Sequence, residues 1–188
     1  MTKVVGISGS LRRGSYNGAL LRAAARLMPP EATLEIASIR GIPLYDYDVE
    51  MQGIPAAVTQ LKEAIAAADG VLLVTPEYNN SLPGVFKNAI DWLSRPPADV
   101  RRVFAGKPFA VIGASAGNWG TALSQAAWLP VLRTLGTLPW FGGRLQVARA
   151  GAVFDESGNL KDAAVEEQLK QLLAGYVRFL RRQADSPG

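Results

Sequence analysis

The stretch GISGSLRRGSYNG, residues 6 to 18, follows the first apolar run of the chain and leads directly into its first helical one. Val4, Val5, Gly6 and Ile7 form a short, β-branched run of the kind that suits a fully buried strand. From Asn17 onward, Ala19, Leu20, Ala23, Ala24 and Leu27 recur at helical spacing. The stretch therefore joins a strand end to a helix start. Backbone N–H groups at a helix N-terminus have no intrahelical partner, and the helix dipole adds partial positive charge, so such a loop attracts phosphate. Ser8, Ser10 and Ser15 add hydroxyls, Asn17 an amide and Arg12 a guanidinium, all able to donate to phosphate oxygens.

Two better-known phosphate loops do not fit. Walker A requires a lysine that reaches the outer phosphates of a nucleoside triphosphate, and Gly9 to Ser15 has neither its spacing nor a lysine. The dinucleotide fingerprint needs glycines where the backbone meets a pyrophosphate, and Gly6, Gly9 and Gly14 are wrongly spaced for it. A hydroxyl-rich loop remains, suited to the terminal monophosphate of a mononucleotide. An ordinary strand-to-helix loop with capping serines uses the same residue types, so this loop alone does not decide the matter.

Composition narrows the chemistry. The 188 residues are expected to form one domain, 1–183, followed by a disordered tail, 184–188. A domain of this size buries roughly 70% of its unfolded-state surface and needs no covalent staples. There are no cysteines and no histidines, which excludes disulfides, thiolate nucleophiles, the common zinc sites and any Ser-His-Asp triad. Catalysis, if present, rests on carboxylates, hydroxyls, amines or a borrowed cofactor, and a borrowed cofactor is the simplest. No apolar run approaches the length of a membrane span and no secretory signal stands at the N-terminus, so the expected compartment is the cytoplasm. The net charge of +4 is scattered over Arg12 and Arg13, Arg101 and Arg102, and the C-terminal arginines. It forms no basic stripe with interleaved aromatics, so neither nucleic acid nor membrane is the expected partner.

Taken in order, the chain alternates strand and helix. A second strand is expected from Thr33 to Ser38, then a loop from Arg40 to Ile54 whose Asp46 and Asp48 read as solvated carboxylates. Val58, Leu61, Ile65 and Ala68 mark a second helix. Val71 to Thr75 is apolar on both faces, as a parallel strand between helices must be. A helix from about Pro83 to Ser94 carries Phe86, Ala89, Ile90 and Leu93 on one face, with Val85 and Trp92 off that stripe. An apolar surface wider than one stripe fits either a deeply sunk helix or one that meets a second subunit. A linker from Pro96 to Lys107 precedes a fourth strand, Phe109 to Ala114, and a helix from Thr121 to Leu135. Thr137 to Leu145 is a weaker fifth strand, broken by Pro139 and the Gly142, Gly143 pair, and the last helix spans about Asp162 to Arg182.

Five alternations argue a doubly wound parallel sheet with helices on both faces. In such folds ligands bind outside the carboxyl ends of the strands. Three small-residue loops, after the first, third and fourth strands, meet at that edge. PEYNNS, residues 76 to 81, offers the face of Tyr78 for stacking, with the Asn79 amide and backbone groups as donors and acceptors for a flat heteroaromatic ring. Ser115 to Gly120 closes the other side, with Gly117 admitting close backbone approach and Trp119 flanking the mouth.

GSLRRGSYN followed by TPEYNNSLPGVFKNAIDWLSR resembles the NADPH-dependent FMN reductases of flavodoxin-like fold, in particular their quinone and chromate reductase branch. The resemblance implies a five-stranded sheet of order 2-1-3-4-5 and non-covalent FMN, with NADPH or NADH as cosubstrate. It implies Ser10, Arg12, Ser15, Tyr16 and Asn17 around the phosphate, Pro76, Glu77, Tyr78, Asn79 and Ser81 along the isoalloxazine, and Ser115 with Gly117 beside it. It further implies ping-pong hydride transfer through flavin N5 to quinones or other small acceptors, chromate, azo and nitro compounds included. No side chain is then a certain catalyst, although Tyr78 is a candidate donor to bound acceptor, and no metal is required. A homodimer or homotetramer with the flavin site near the dimer interface also follows from the resemblance. Asn80, Asn118 and Trp119 depart from the usual pattern and bear on acceptor choice. The rival reading is a flavodoxin-like electron carrier without its own NAD(P)H turnover; such carriers are usually acidic, whereas this chain is net basic.

Overall fold

A computed structural model describes residues 1–185. In chain order its elements are β1 (Thr2–Ser8), α1 (Tyr16–Arg26), β2 (Ala32–Ala37), α2 (Tyr47–Gln52), α3 (Ala56–Ala66), β3 (Gly70–Val74), α4 (Gly84–Leu93), a 3-10 turn (Pro97–Asp99) with α5 (Val100–Val103), β4 (Pro108–Ala114), α6 (Ala122–Thr134), β5 (Leu138–Pro139), β6 (Gln146–Val147), α7 (Ala150–Val153) and α8 (Ala163–Asp185). The strands are parallel in the order β2-β1-β3-β4-β5, the expected flavodoxin-like winding.

Successive strand side chains point to opposite faces, and the two cores follow that alternation. Val4, Leu72, Val74 and Ile112 pack under α1, α7 and α8, while Val5, Ile7, Val71, Leu73 and Phe109 pack under α3, α4, α5 and α6. Tyr176 of α8 is buried against the sheet. Its hydroxyl accepts the Val71 N–H at 3.0 Å and lies within 3.0 Å of the Val71 and Pro108 carbonyls, one of which takes its proton. Burial pushes that phenol well above its ordinary range, so it stays a neutral donor.

Three sequence expectations need adjustment. The fifth strand is two short pieces on the outer side of β4: Leu138 and Pro139 pair with Pro108 and Phe109, and Gln146 and Val147 with Gly113 and Ala114. The intervening turn wraps around Trp140, whose indole lies so close to Gly142 and Gly143 that a Cβ on either would clash with it. The expected loop 40–54 contains α2, capped by Asp46, whose carboxylate accepts the Asp48 N–H at 2.8 Å. The last helix runs through Ala184 and Asp185, and the rest of the expected tail, 186–188, lies outside the described residues.

The segment around α2 also accounts for the wide apolar surface of α4. Asn88 accepts the Tyr45 N–H and donates to the Pro43 carbonyl, each at 2.8 Å, and Trp92 Nε1 donates to the same carbonyl at 2.9 Å. Arg95 Nε and the Tyr45 hydroxyl both donate to Glu50 Oε2, at 2.9 and 2.7 Å. Those two bonds hold the Glu50 carboxyl below the usual carboxylate range. Trp92 is thus covered by the chain's own strap, while Val85 stays 37% exposed.

Candidate functional site

Ser15 begins the site. Its side chain caps α1 by accepting the N–H groups of Asn17 and Gly18 at 3.2 and 3.3 Å, which frees the preceding loop from that task. The N–H groups of Leu11, Arg13, Gly14 and Tyr16 donate to no acceptor among the described residues. Ser10 Oγ accepts the Arg12 N–H at 3.4 Å and keeps its proton to donate. Arg12 is exposed and stands 5.4 Å above the Tyr16 ring, which is itself stacked on Phe154. Gly9 permits the whole arrangement, because a Cβ there would lie 2.2 Å from the ring of Phe86 beneath it. Asn17 is placed differently from the expected phosphate donor: its Nδ2 donates to the Ala114 carbonyl at 2.8 Å and its Oδ1 accepts the Ala114 N–H at 2.9 Å. It pins this loop to the end of β4.

The loop after β3 is closed on itself. Tyr78 and Ser81 exchange two backbone hydrogen bonds of 3.0 Å across Asn79 and Asn80, whose φ values of 50° and 60° make a type I′ turn. Asparagine tolerates that left-handed backbone better than most residues. The Tyr78 ring is 46% exposed, and its hydroxyl has no partner among the described residues. Pro76 is buried, with its carbonyl 2.9 Å from Thr75 Oγ1, which also meets Ser124 Oγ and Trp128 Nε1. Glu77 points sideways. Its carboxylate accepts the Leu123 and Ser124 N–H groups at 2.9 and 3.0 Å and so caps α6, whose own first residues offer no side-chain cap.

The loop after β4 completes the rim. Ser115 donates its N–H to Val147 and accepts from Ala150, while the Gly117 carbonyl accepts the Arg149 N–H at 2.9 Å. Arg149 Nε also holds Asn118 Oδ1 at 2.9 Å. Trp119 projects from this braced loop with 81% of its surface exposed.

The three loops are thus tied pairwise: the first to the second by the Gly9 N–H on the Val74 carbonyl, the first to the third by Asn17, the second to the third by Glu77. At one end of the rim stand free N–H groups, serine hydroxyls and guanidinium, the donor set that a phosphate monoester requires. At the other stand an exposed aromatic face and fixed backbone, the surface that a flat ring requires. Both parts of FMN fit the residues present.

The pattern that defines the NADPH-dependent FMN reductases matches residues 2–152. This chain belongs to that family. The NAD(P)H-dependent FMN reductase of Pseudomonas aeruginosa is 47% identical over 180 residues, covering 96% of each chain. The quinone reductase of Escherichia coli K12 is 39% identical over 189 residues, again covering 96% of each. Among solved structures, the flavoenzyme NAD(P)H:(acceptor) oxidoreductase FerB of Paracoccus denitrificans superposes with a TM-score of 0.86 at 32% identity, covering 97% of this chain and 98% of its own. As a member of the FMN reductase family the chain is an oxidoreductase that uses FMN and NAD(P)H.

The three loops singled out in the sequence meet at one edge of the sheet, where Asn17 and Glu77 brace them instead of pointing into the rim, and two further braces carry no local signal. Arg40 donates from Nη2 to the Leu11 carbonyl at 2.6 Å, and Arg149 acts on Asn118 from 31 residues away. No local pattern marks either one. Asp46 and Asp48, the paired acids of the 40–54 segment, serve α2.

Proposed function

We propose that the three loops hold FMN and that the chain passes electrons from NAD(P)H to quinones and other small oxidants, with chromate, azo and nitro compounds within its range. The observation that carries this reading is the pairwise bracing of the loops around an anion cradle at one end and an open aromatic face at the other. Ser10, Arg12, Ser15 and Tyr16 take the phosphate, with Asn17 holding their loop in place. Pro76, Tyr78, Asn79 and Ser81 line the ring with Glu77 fixing their turn, and Ser115 and Gly117 border it. When bound there, FMN would supply the redox chemistry between a nicotinamide and an oxidant. The Tyr78 hydroxyl is free to donate a hydrogen bond to a bound acceptor, and the +4 net charge favours anionic cosubstrates over the partner docking of an acidic carrier.

In this proposal residues 1–183 are one cytoplasmic domain that forms a homodimer or homotetramer. Exposed Leu44, Tyr47 and Met51 on the strap over α4 support self-association. Among the described residues no helix is long and apolar enough to cross a membrane. Initial rates at varied NADPH and benzoquinone test the function: parallel double-reciprocal lines with hydroquinone as product support it. Absence of NADPH oxidation, with FMN retained, supports the electron carrier instead.

A further inference from the structure

We infer that a pocket on the β2 side of the first loop is a second anion subsite, shaped for the 2′-phosphate of NADPH and selecting it over NADH. The inference rests on the reading above that a nicotinamide cofactor is the electron source. The pocket, about 260 Å³, lies between the first loop, α1 and the end of β2. Its polar lining is Ser8, Ser10, Ser38, Arg22 and Arg40, and no carboxylate borders it.

The donors there are free. Ser8 Oγ accepts the Ser10 N–H at 3.4 Å, Ser10 Oγ the Arg12 N–H at 3.4 Å, and Ser38 Oγ the Arg40 N–H at 3.0 Å. A hydroxyl that accepts in this way still carries its proton, and none of the three donates to an acceptor among the described residues. Arg40 is anchored by its Nη2 bond to the Leu11 carbonyl, which fixes the guanidinium against the loop and leaves its other N–H groups without a protein acceptor among the described residues. Arg22 makes no ion pair among the described residues. The Ser8 and Ser38 hydroxyls and the anchored Arg40 guanidinium, with no carboxylate in the lining, favour a dianion, and a planar guanidinium suits phosphate better than any other cation.

Two neighbouring features set this pocket apart. It contains none of Arg12, Ser15, Tyr16 or Asn17, and shares only Ser10 with the residues assigned to the FMN phosphate. Arg22 also borders an adjoining pocket with Arg13, Asp155 and Glu156, so its charge is shared with two acids there, whereas Arg40 lines only the first pocket. NADPH differs from NADH only in one ribose phosphate, and the unbalanced pocket is the one that would reward it.

Calorimetry on the FMN-loaded protein with adenosine 2′,5′-bisphosphate and adenosine 5′-phosphate tests the subsite directly. The bisphosphate is expected to bind about tenfold or more tightly, the scale of one charge-assisted hydrogen bond. Arg22→Glu and Arg40→Gln should each shrink that gap and lower the NADPH:NADH ratio of kcat/KM by a similar factor, through KM. Arg133→Glu, outside the pocket, should leave the ratio unchanged. Equal binding of the two nucleotides by the native protein overturns the subsite, as does a ratio that neither pocket variant moves. Loss of FMN from the pocket variants also overturns it, because the pocket then belongs to the flavin phosphate. Since the probes carry no nicotinamide, failure of NADPH to reduce the flavin would count against the reductase reading, while nucleotide binding would still decide the subsite.

Discussion

The loops after β1 and after β3 stand at the same sheet edge, yet they are held in different ways. In the first, the N–H groups of Leu11, Arg13, Gly14 and Tyr16 have no acceptor among the described residues, and the Arg12 guanidinium is exposed. In the second, Tyr78 and Ser81 close the turn on each other and the Glu77 carboxylate caps α6, while the N–H groups of Glu77, Asn79 and Asn80 have no acceptor among the described residues. The first loop gathers its open donors beside a cation, whereas the second holds its shape through its own turn and the cap on α6. Charge recognition needs donors held open; a stacking surface needs only to be rigid. It follows that changes at the open loop should alter binding more than stability, and changes at the closed loop the reverse.

The largest expected effect is the one exception within the first loop. Asn17→Ala leaves the buried Ala114 N–H and carbonyl without partners and should cost about 2–4 kcal/mol in urea unfolding of the FMN-free protein. A loss below about 1 kcal/mol would mean that this amide is not the lock between loops. Arg12→Ala follows: FMN affinity by fluorescence titration should fall about ten- to hundredfold, while unfolding of the FMN-free protein moves by less than about 0.5 kcal/mol. Equal losses in both measurements would erase the distinction between the loops.

At the closed loop, Glu77→Ala removes a helix cap and should destabilise by about 0.5–2 kcal/mol. Glu77→Gln, whose carbonyl oxygen can still accept from Leu123 and Ser124, should recover part of that loss. Failure of glutamine to recover anything would point to the charge of Glu77 rather than its capping geometry. The smallest effect is expected at the turn. Asn80→Ala, forced to hold a φ of 60°, should cost about 1 kcal/mol, and Asn80→Gly should stay within about 0.5 kcal/mol of the native protein.

What is legible in the amino-acid sequence follows a related division, between local and long-range causes. Buried strands such as Val71 to Val74 and helices with a regular apolar stripe announce themselves, because burial on both faces or on one stripe dictates residue type locally. The hydroxyls and cations of the first loop are legible because they cluster within one short segment between a strand and a helix. The ties among loops are not: Asn17 meets Ala114 across 97 residues and Glu77 meets Leu123 across 46, contacts that only the folded sheet creates. The six residues of α2 are too few to show a helical period, although Asp46 as cap and Asp48 and Glu50 in the first turn are its available signal. Pro139, Gly142 and Gly143 reveal where the fifth strand fails, but its resumption at Gln146 depends on the edge of β4 that it rejoins.

The most direct measurement is the anaerobic visible spectrum of the FMN-loaded, desalted protein before and after NADPH, followed by a quinone. One retained FMN per chain is expected, with rapid bleaching of its visible band by NADPH and recovery of that band on adding quinone. Protein that keeps no FMN, or a flavin band that persists with either nicotinamide, would contradict an FMN-dependent reductase.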